Sequence, residues 1–133
     1  MHSASVQRPS PEPRTANNMV ECLPSDYRAG LNGGMRIAVV APSCTLRREA
    51  AERVQAIVRA RGDCELMIHP QCFLSEGHFA GSDEERLAAL REVMADDSVD
   101  AVWFARGGYG SNRIAEAALI DLPPAARSKA YLG

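Results

Sequence analysis

The chain has 133 residues, of which 46% are hydrophobic and 24% charged, and its formal net charge is -2. These values predict one globular domain, while the lack of a basic excess and the 5% aromatic content argue against binding to nucleic acid. No apolar run is long enough to span a bilayer and no secretory signal is recognisable, so we expect a cytoplasmic protein that binds no membrane.

Residues 1–34 differ in composition from the rest of the chain. They combine scattered Ser and Asn with a Gly33–Gly34 pair and four prolines, and they show no apolar period. Such a segment cannot bury enough apolar surface to offset the entropy lost on ordering. We therefore predict a flexible N-terminal arm over 1–34 and a folded domain over 35–133.

The first half of this domain alternates between strand and helix patterns. Arg36–Ala41 is a β-branched run typical of a strand buried in a parallel sheet. A helix is predicted after it, ending at Gly62, with an apolar stripe of Ala50, Ala51, Val54, Ile57 and Val58. Cys64–His69 predicts a second strand, and Pro70–Gly81 predicts a loop.

The second half repeats the alternation. Ser82 and Glu85 form the S-x-x-E pattern of a capping box and begin a helix. The third strand, Val99–Ala105, runs into the glycine-rich turn Arg106–Gly110. A helix is predicted from Asn112 to about Ile120, ended by Pro123 and Pro124, and Ala130–Gly133 predicts the beginning of a fourth strand.

This order predicts an α/β fold with a mainly parallel sheet and flanking helices, because strands joined by helices form right-handed crossovers. A fourth strand of only four residues leads us to expect that the chain is an incomplete part of a longer protein.

The glycine-rich turn is the main candidate site. It follows a buried strand at the carboxyl edge of the sheet, where open α/β proteins bind ligands, and its glycines let a ligand approach backbone N–H groups. Such groups at a helix N-terminus hold a carboxylate, a phosphate or a developing oxyanion. A tight turn without a ligand explains the spacing equally well. A nucleotide site is disfavoured, because neither G-x-G-x-x-G nor a P-loop pattern occurs.

The other candidates are weaker. Ser43 follows the first strand, where it either lines the same crevice or caps the next helix. His69 and His78 are interpreted as ordinary loop or strand-end histidines. No metal site is predicted, because the four cysteines lack a C-x-x-C spacing and are interpreted as reduced thiols. They are Cys22, Cys44, Cys64 and Cys72.

Three segments resemble the LD-carboxypeptidase family, serine peptidases that include muramoyl-tetrapeptide carboxypeptidases and microcin C self-immunity hydrolases. Ile37–Ser43 is similar to the family's opening strand and its A-P-S turn. Phe79–Arg86 is similar to its A-G-S-D-x-x-R helix start, and Asp100–Gly110 to its A-x-R-G-G-Y-G turn.

The resemblance implies the N-terminal domain of a two-domain hydrolase, with the active site between the domains. The nucleophile would be a serine in a G-[YF]-S-D turn after a segment like Lys129–Gly133, so the catalytic triad is not expected within these residues. Gly107 and Gly108 would hold the oxyanion or substrate, and Arg106 and Tyr109 match the same motif as candidates for lining the active site, together with Ser43.

The implied substrate is a murein tetrapeptide that loses its terminal D-amino acid, or a related peptide amide. The resemblance implies no metal or organic cofactor. The partners it implies are the small peptide substrate and a missing C-terminal domain, with the full-length protein expected to be a homodimer. The alternative is a non-catalytic α/β module that binds a small anion at the Gly107–Gly110 turn.

Overall fold

The computed structural model describes residues 34–133, which form one parallel sheet of four strands with helices on both faces. The strands lie in the order β2-β1-β3-β4 and all neighbours pair in parallel. Their bounds are Met35–Val40 (β1), Cys64–Ile68 (β2), Ala101–Phe104 (β3) and Ala130–Leu132 (β4). The predicted α/β class and the parallel sheet are confirmed.

The two faces of the sheet are covered by different helices. The helices are α1 (Arg48–Arg61), a 3-10 helix (Pro70–Phe73), α2 (Asp83–Ala95), α3 (Tyr109–Leu119) and α4 (Pro124–Arg127). Helices α2, α3 and α4 pack on the face that carries Ala38, Val40 and Val102, which is the larger buried cluster. Helix α1 covers the opposite face, where Val39 and Trp103 are neighbours in register.

Local sequence signals fix the ends of two helices as predicted. Gly62 follows α1 in the left-handed conformation, with φ of 71°, and its N–H donates to the Val58 carbonyl. At the start of α2, Ser82 Oγ accepts from the Glu85 N–H at 3.1 Å, and the Glu85 carboxylate accepts from the Ser82 N–H at 2.7 Å. The predicted capping box is therefore present.

One predicted boundary is wrong at the helix that follows the glycine-rich turn. The helix begins at Tyr109 rather than Asn112, so Tyr109 and Gly110 belong to its first turn. It ends at Leu119, in agreement with the predicted end at about Ile120. Pro124, which was predicted only to end this helix, also occupies the first turn of α4, where its missing N–H costs nothing.

Two further predictions need correction. The predicted loop Pro70–Gly81 contains the 3-10 helix, which Pro70 begins and which His69 caps by accepting from the Gln71 N–H. The predicted apolar stripe of α1 is wider than the face that α1 buries, because only Ala51 is buried and Ile57 is 49% exposed.

Residues 1–33 of the predicted arm, which include Cys22, lie outside the described residues. Within residues 34–133, no helix has the length and apolar character that a membrane crossing requires.

Candidate active site

The strand order brings the ends of β1 and β3 together. The chain passes from β1 to β2 on one side and then returns across β1 to β3. The crevice outside the carboxyl ends of β1 and β3 is therefore the switch point of the sheet, where open α/β folds bind ligands. Ser43 follows β1 at this place, and the turn Arg106–Gly108 follows β3.

Gly108 has a backbone conformation that only glycine adopts readily. It caps α3 with φ of 143° and ψ of -171°. A Cβ added there would lie 2.9 Å from Ser43 Oγ. Gly107 has neither constraint, since its φ is not positive and an added Cβ would meet nothing within 4 Å. Of these two positions, only position 108 requires glycine for its local geometry.

The turn presents unoccupied hydrogen-bond donors. No hydrogen bond joins the N–H of Gly107 or Gly108 to another residue within 34–133. Ser111 Oγ, one helical turn further on, is buried and has no partner in the same part of the chain. These groups surround the N-terminus of α3, where the helix dipole favours negative charge. The arrangement can hold an anion or a developing oxyanion.

Ser43 supports the turn from the end of β1. It is 1% exposed, and its Oγ accepts from the Gly110 N–H at 3.2 Å. Its predicted role as a helix cap is wrong, because Arg47 is the N-cap of α1 and forms no side-chain cap. Gly110 is needed for this approach, since an added Cβ would lie 2.9 Å from Ser43 Cα and 2.8 Å from the Phe79 ring.

Arg106 and Tyr109 flank the glycines on the surface. Both are exposed, and Tyr109 is 69% exposed. An open cavity of about 800 Å³ lies beside the turn, and its wall includes Gly107, Gly108 and Ser111. The structure thus gathers all five predicted site residues, Ser43 and Arg106–Tyr109, at one edge of the sheet.

Sequence reasoning missed Arg86, which is 1% exposed. Its guanidinium donates to the carbonyls of Pro42 at 2.8 Å, Gly110 at 2.6 Å and Gly81 at 3.3 Å, and it pairs with Asp83. A signal was available, because Arg86 lies four residues before Leu90 on the buried stripe of α2. A charged residue on an apolar stripe requires internal partners.

Gln71 was missed as well. Its amide donates to the carbonyls of Ala41 at 2.8 Å and Ala80 at 2.7 Å, and its Oε1 accepts from the Ala41 N–H at 3.1 Å. The side chain therefore satisfies the backbone at the end of β1 as a neighbouring strand would. Burial raises the pKa of the adjacent Cys72 thiol to about 11, so this thiol is neutral near pH 7 and is not a reactive nucleophile.

Neither His69 nor His78 forms a hydrogen bond to the glycine-rich turn within residues 34–133. His69 Nε2 lies 2.9 Å from the Glu92 carboxylate, while its Nδ1 accepts from the Gln71 N–H at 3.0 Å. This bonding assigns the proton to Nε2. His78 is exposed in the loop before α2.

The sequence profile described as the LD-carboxypeptidase N-terminal domain matches residues 37–133. A Streptomyces coelicolor protein named as a carboxypeptidase is 35% identical over 108 residues, covering 79% of this chain and 34% of the relative. A Bacillus subtilis protein named as a murein peptide carboxypeptidase is 34% identical over 85 residues, covering 64% of this chain and 26% of the relative. The chain thus spans about a third of the length of these curated relatives.

Solved structures show the same fold. Muramoyltetrapeptide carboxypeptidase from Oxalobacter formigenes superposes with a TM-score of 0.57 at 27% identity, over 73% of this chain and 32% of that one. The microcin C7 self-immunity protein MccF in complex with aspartyl sulfamoyl adenosine superposes with a TM-score of 0.59 at 19% identity, over 77% of this chain and 31% of that one. At 19% the likeness concerns the fold alone. With its N-terminal-domain profile matched from Ile37 to Gly133, the chain belongs to the LD-carboxypeptidase family.

Proposed function

We propose that residues 35–133 are the N-terminal domain of a serine-type carboxypeptidase that removes a terminal D-amino acid from murein peptides. Within it, the Gly107–Gly108 turn holds the oxyanion of the reacting carbonyl. One observation carries the proposal: two glycine N–H groups without partners in residues 34–133 lie at the switch point of the sheet, and Gly108 is fixed in a conformation that needs glycine. Family membership and the name of the Bacillus subtilis relative support this substrate class.

The proposed chemistry is acyl transfer. A serine hydroxyl attacks the amide carbonyl, histidine takes the serine proton and delivers it to the leaving amine, and glutamate orients the histidine. The D-amino acid leaves, and water then releases the acyl group from the serine. These three residues belong to the G-[YF]-S-D turn and the C-terminal domain that the family resemblance implies, and no step uses a metal or an organic cofactor.

The turn contributes at the tetrahedral stage of both steps, when negative charge develops on the carbonyl oxygen. A backbone N–H fixed before the reaction stabilises this charge without any reorganisation, and one such donor is worth about 3–4 kcal/mol. Gly107 has open space at its Cα, which leaves room for a peptide to approach. Exposed Arg106 adds positive charge beside the same turn.

A non-catalytic module that binds a small anion is the second candidate. The buried Ser111 hydroxyl, which lacks a partner within residues 34–133, favours it, because a bound phosphate or carboxylate would supply an acceptor.

Both candidates are tested by reading the parent gene beyond the codon for Gly133 and assaying its full product on a murein tetrapeptide. We expect Y-S-D or F-S-D to follow, and the full product to release D-alanine. The 133-residue chain alone should release none, because the proposed nucleophile and base belong to the turn and the domain that the family resemblance implies beyond these residues. A stop codon after Gly133, with phosphate binding at the turn and no D-alanine released, would contradict the carboxypeptidase and favour the anion-binding module.

A further inference from the structure

Arg86 occupies an unusual position for a charged side chain. It belongs to the buried stripe of α2 and is 1% exposed. Removing a guanidinium from water costs free energy unless its N–H donors form hydrogen bonds inside the protein. A buried arginine side chain is therefore held in one orientation by those hydrogen bonds. Here the partners are three backbone carbonyls and one carboxylate.

The three carbonyls lie in three separate segments of the chain. Pro42 follows β1, Gly81 immediately precedes the cap of α2, and Gly110 lies in the first turn of α3. One rigid side chain therefore joins the end of a central strand to the starts of two helices. Lysine could not replace it, because a single ammonium lacks the planar fork that reaches partners in several directions.

A second layer of contacts holds the guanidinium itself. The Asp83 carboxylate pairs with Arg86 and also with Arg113 on α3, at 2.8 Å. The Phe79 ring lies 4.7 Å from the Arg86 guanidinium carbon and 5.8 Å from that of Arg113. We call Ser43, Phe79, Asp83, Arg86 and Gly110 the junction.

The junction fixes Gly110 from both sides. Its carbonyl accepts from Arg86 at 2.6 Å, and its N–H donates to Ser43 at 3.2 Å. Gly110 is two residues from Gly108, and the Ser111 N–H closes the intervening turn by donating to the Gly108 carbonyl at 3.0 Å. The orientation of the glycine N–H groups therefore depends on how Gly110 is held.

We propose that Arg86 is a positioning residue for the Gly107–Gly108 turn, which it holds in the conformation that receives the oxyanion. The inference rests on the proposed function of that turn. Donors stabilise a transition state only if they are oriented before the charge develops, and a misplacement of about 1 Å costs about 10²-fold in rate.

The test compares Arg86→Lys and Arg86→Met with Arg91→Met. Arg91 is a matched control, because it also lies on α2 and donates to α3, at the Ala117 carbonyl 2.7 Å away, but it is exposed and outside the junction. Two readouts are used: kcat and KM of the full-length product on a murein tetrapeptide, corrected for the folded fraction, and amide hydrogen exchange of Gly110 and Ser111 in the 133-residue chain.

We expect both Arg86 variants to lower kcat about 10²-fold with little change in KM, and to speed exchange at Gly110 and Ser111. Arg91→Met should change neither. Arg86→Lys keeps the charge and carries the test if Arg86→Met does not fold. The proposal would be overturned if the folded Arg86→Lys variant showed the same kcat and the same amide exchange rates as Arg91→Met.

Failure of the proposed function gives a different result. If Gly108→Val keeps the kcat of the full-length product, the turn does not hold the oxyanion. Exchange at Gly110 then still decides the role of Arg86: faster exchange in Arg86→Lys supports positioning of the turn, and unchanged exchange overturns it.

Discussion

The surroundings of the Gly107–Gly108 turn differ sharply between its two sides. On one side lies the junction, in which Ser43 and Arg86 are each 1% exposed and hydrogen-bonded. On the other side lies the cavity of about 800 Å³, whose largely apolar wall includes residues of α3, α4 and β4. Leu119 belongs to this wall and is 68% exposed.

This contrast separates the part of the site that residues 34–133 fix by their own contacts from the part that they leave open. The junction closes its own hydrogen bonds, so the backbone of the turn is fixed from within residues 34–133. On the cavity side, the turn borders an open cavity within residues 34–133. We therefore expect an added side-chain volume to destabilise the fold at the junction and to have little effect at the cavity.

Gly110→Ala should show the largest effect on stability. The added methyl meets Ser43 Cα at 2.9 Å and the Phe79 ring at 2.8 Å, and a backbone atom cannot move aside cheaply. Overpacking of this kind outweighs the better helix propensity of alanine, and we expect a net loss of about 1–2 kcal/mol in the free energy of unfolding. Urea denaturation measures it. An unchanged midpoint would mean that the junction is loosely packed.

Ser82→Ala should cost about 1 kcal/mol, because it removes the cap of the helix that carries Asp83 and Arg86. Glu85→Gln is the matched control: its amide oxygen still accepts from the Ser82 N–H, so the capping box persists and the loss should be smaller. Equal urea midpoints for wild type and Ser82→Ala would show that the junction holds α2 without its cap.

The pH dependence of stability should report the ion pairs that Asp83 forms with Arg86 and Arg113. Hydrogen bonds from Arg113 hold the pKa of the Asp83 carboxyl below its ordinary value. Because the folded pKa is the lower one, this stabilisation is complete above the unfolded-state pKa and is lost as pH falls through the folded-state pKa. Asp83→Asn should flatten the acid side of a plot of unfolding midpoint against pH. Asp97→Asn, at an exposed turn, is the control, and an equal flattening there would contradict the assignment.

Ala115→Leu should show the smallest effect. Ala115 is exposed on α3 and belongs to the wall of the cavity, where a longer side chain finds space. Leucine is also a good helix former, so we expect a change within about 0.5 kcal/mol. A loss as large as that of Gly110→Ala would remove the contrast between the two sides.

Most of the fold could be predicted from the sequence because its signals are local. The β-branched run of β1, the Gly62 cap and the Ser82–Glu85 capping box each determine an element within a few residues. Alternation of strands and helices then leaves the parallel sheet as the natural arrangement.

The site was predicted less completely because its geometry depends on contacts between distant residues. Gly110 was assigned to the glycine-rich turn, yet it lies in the first turn of α3, where Ser43, 67 residues earlier, leaves no room for a side chain. Arg86 and Gly110, 24 residues apart, meet only once α2 and α3 pack together. The family motif marks Arg86 without giving its role.

The proposed oxyanion role of the Gly107–Gly108 turn is tested most directly by kcat of Gly108→Val in the full-length product, corrected for the folded fraction. Gly62→Val is the matched control, because Gly62 also has a positive φ, of 71°, but lies at the end of α1 with open space around its Cα. Valine strains both backbones, and only at Gly108 does it also approach the turn. We predict that kcat falls about 10²–10³-fold for Gly108→Val and is unchanged for Gly62→Val. Lowered urea midpoints in both variants with normal kcat in both would show that the turn has only a structural role and does not hold the oxyanion.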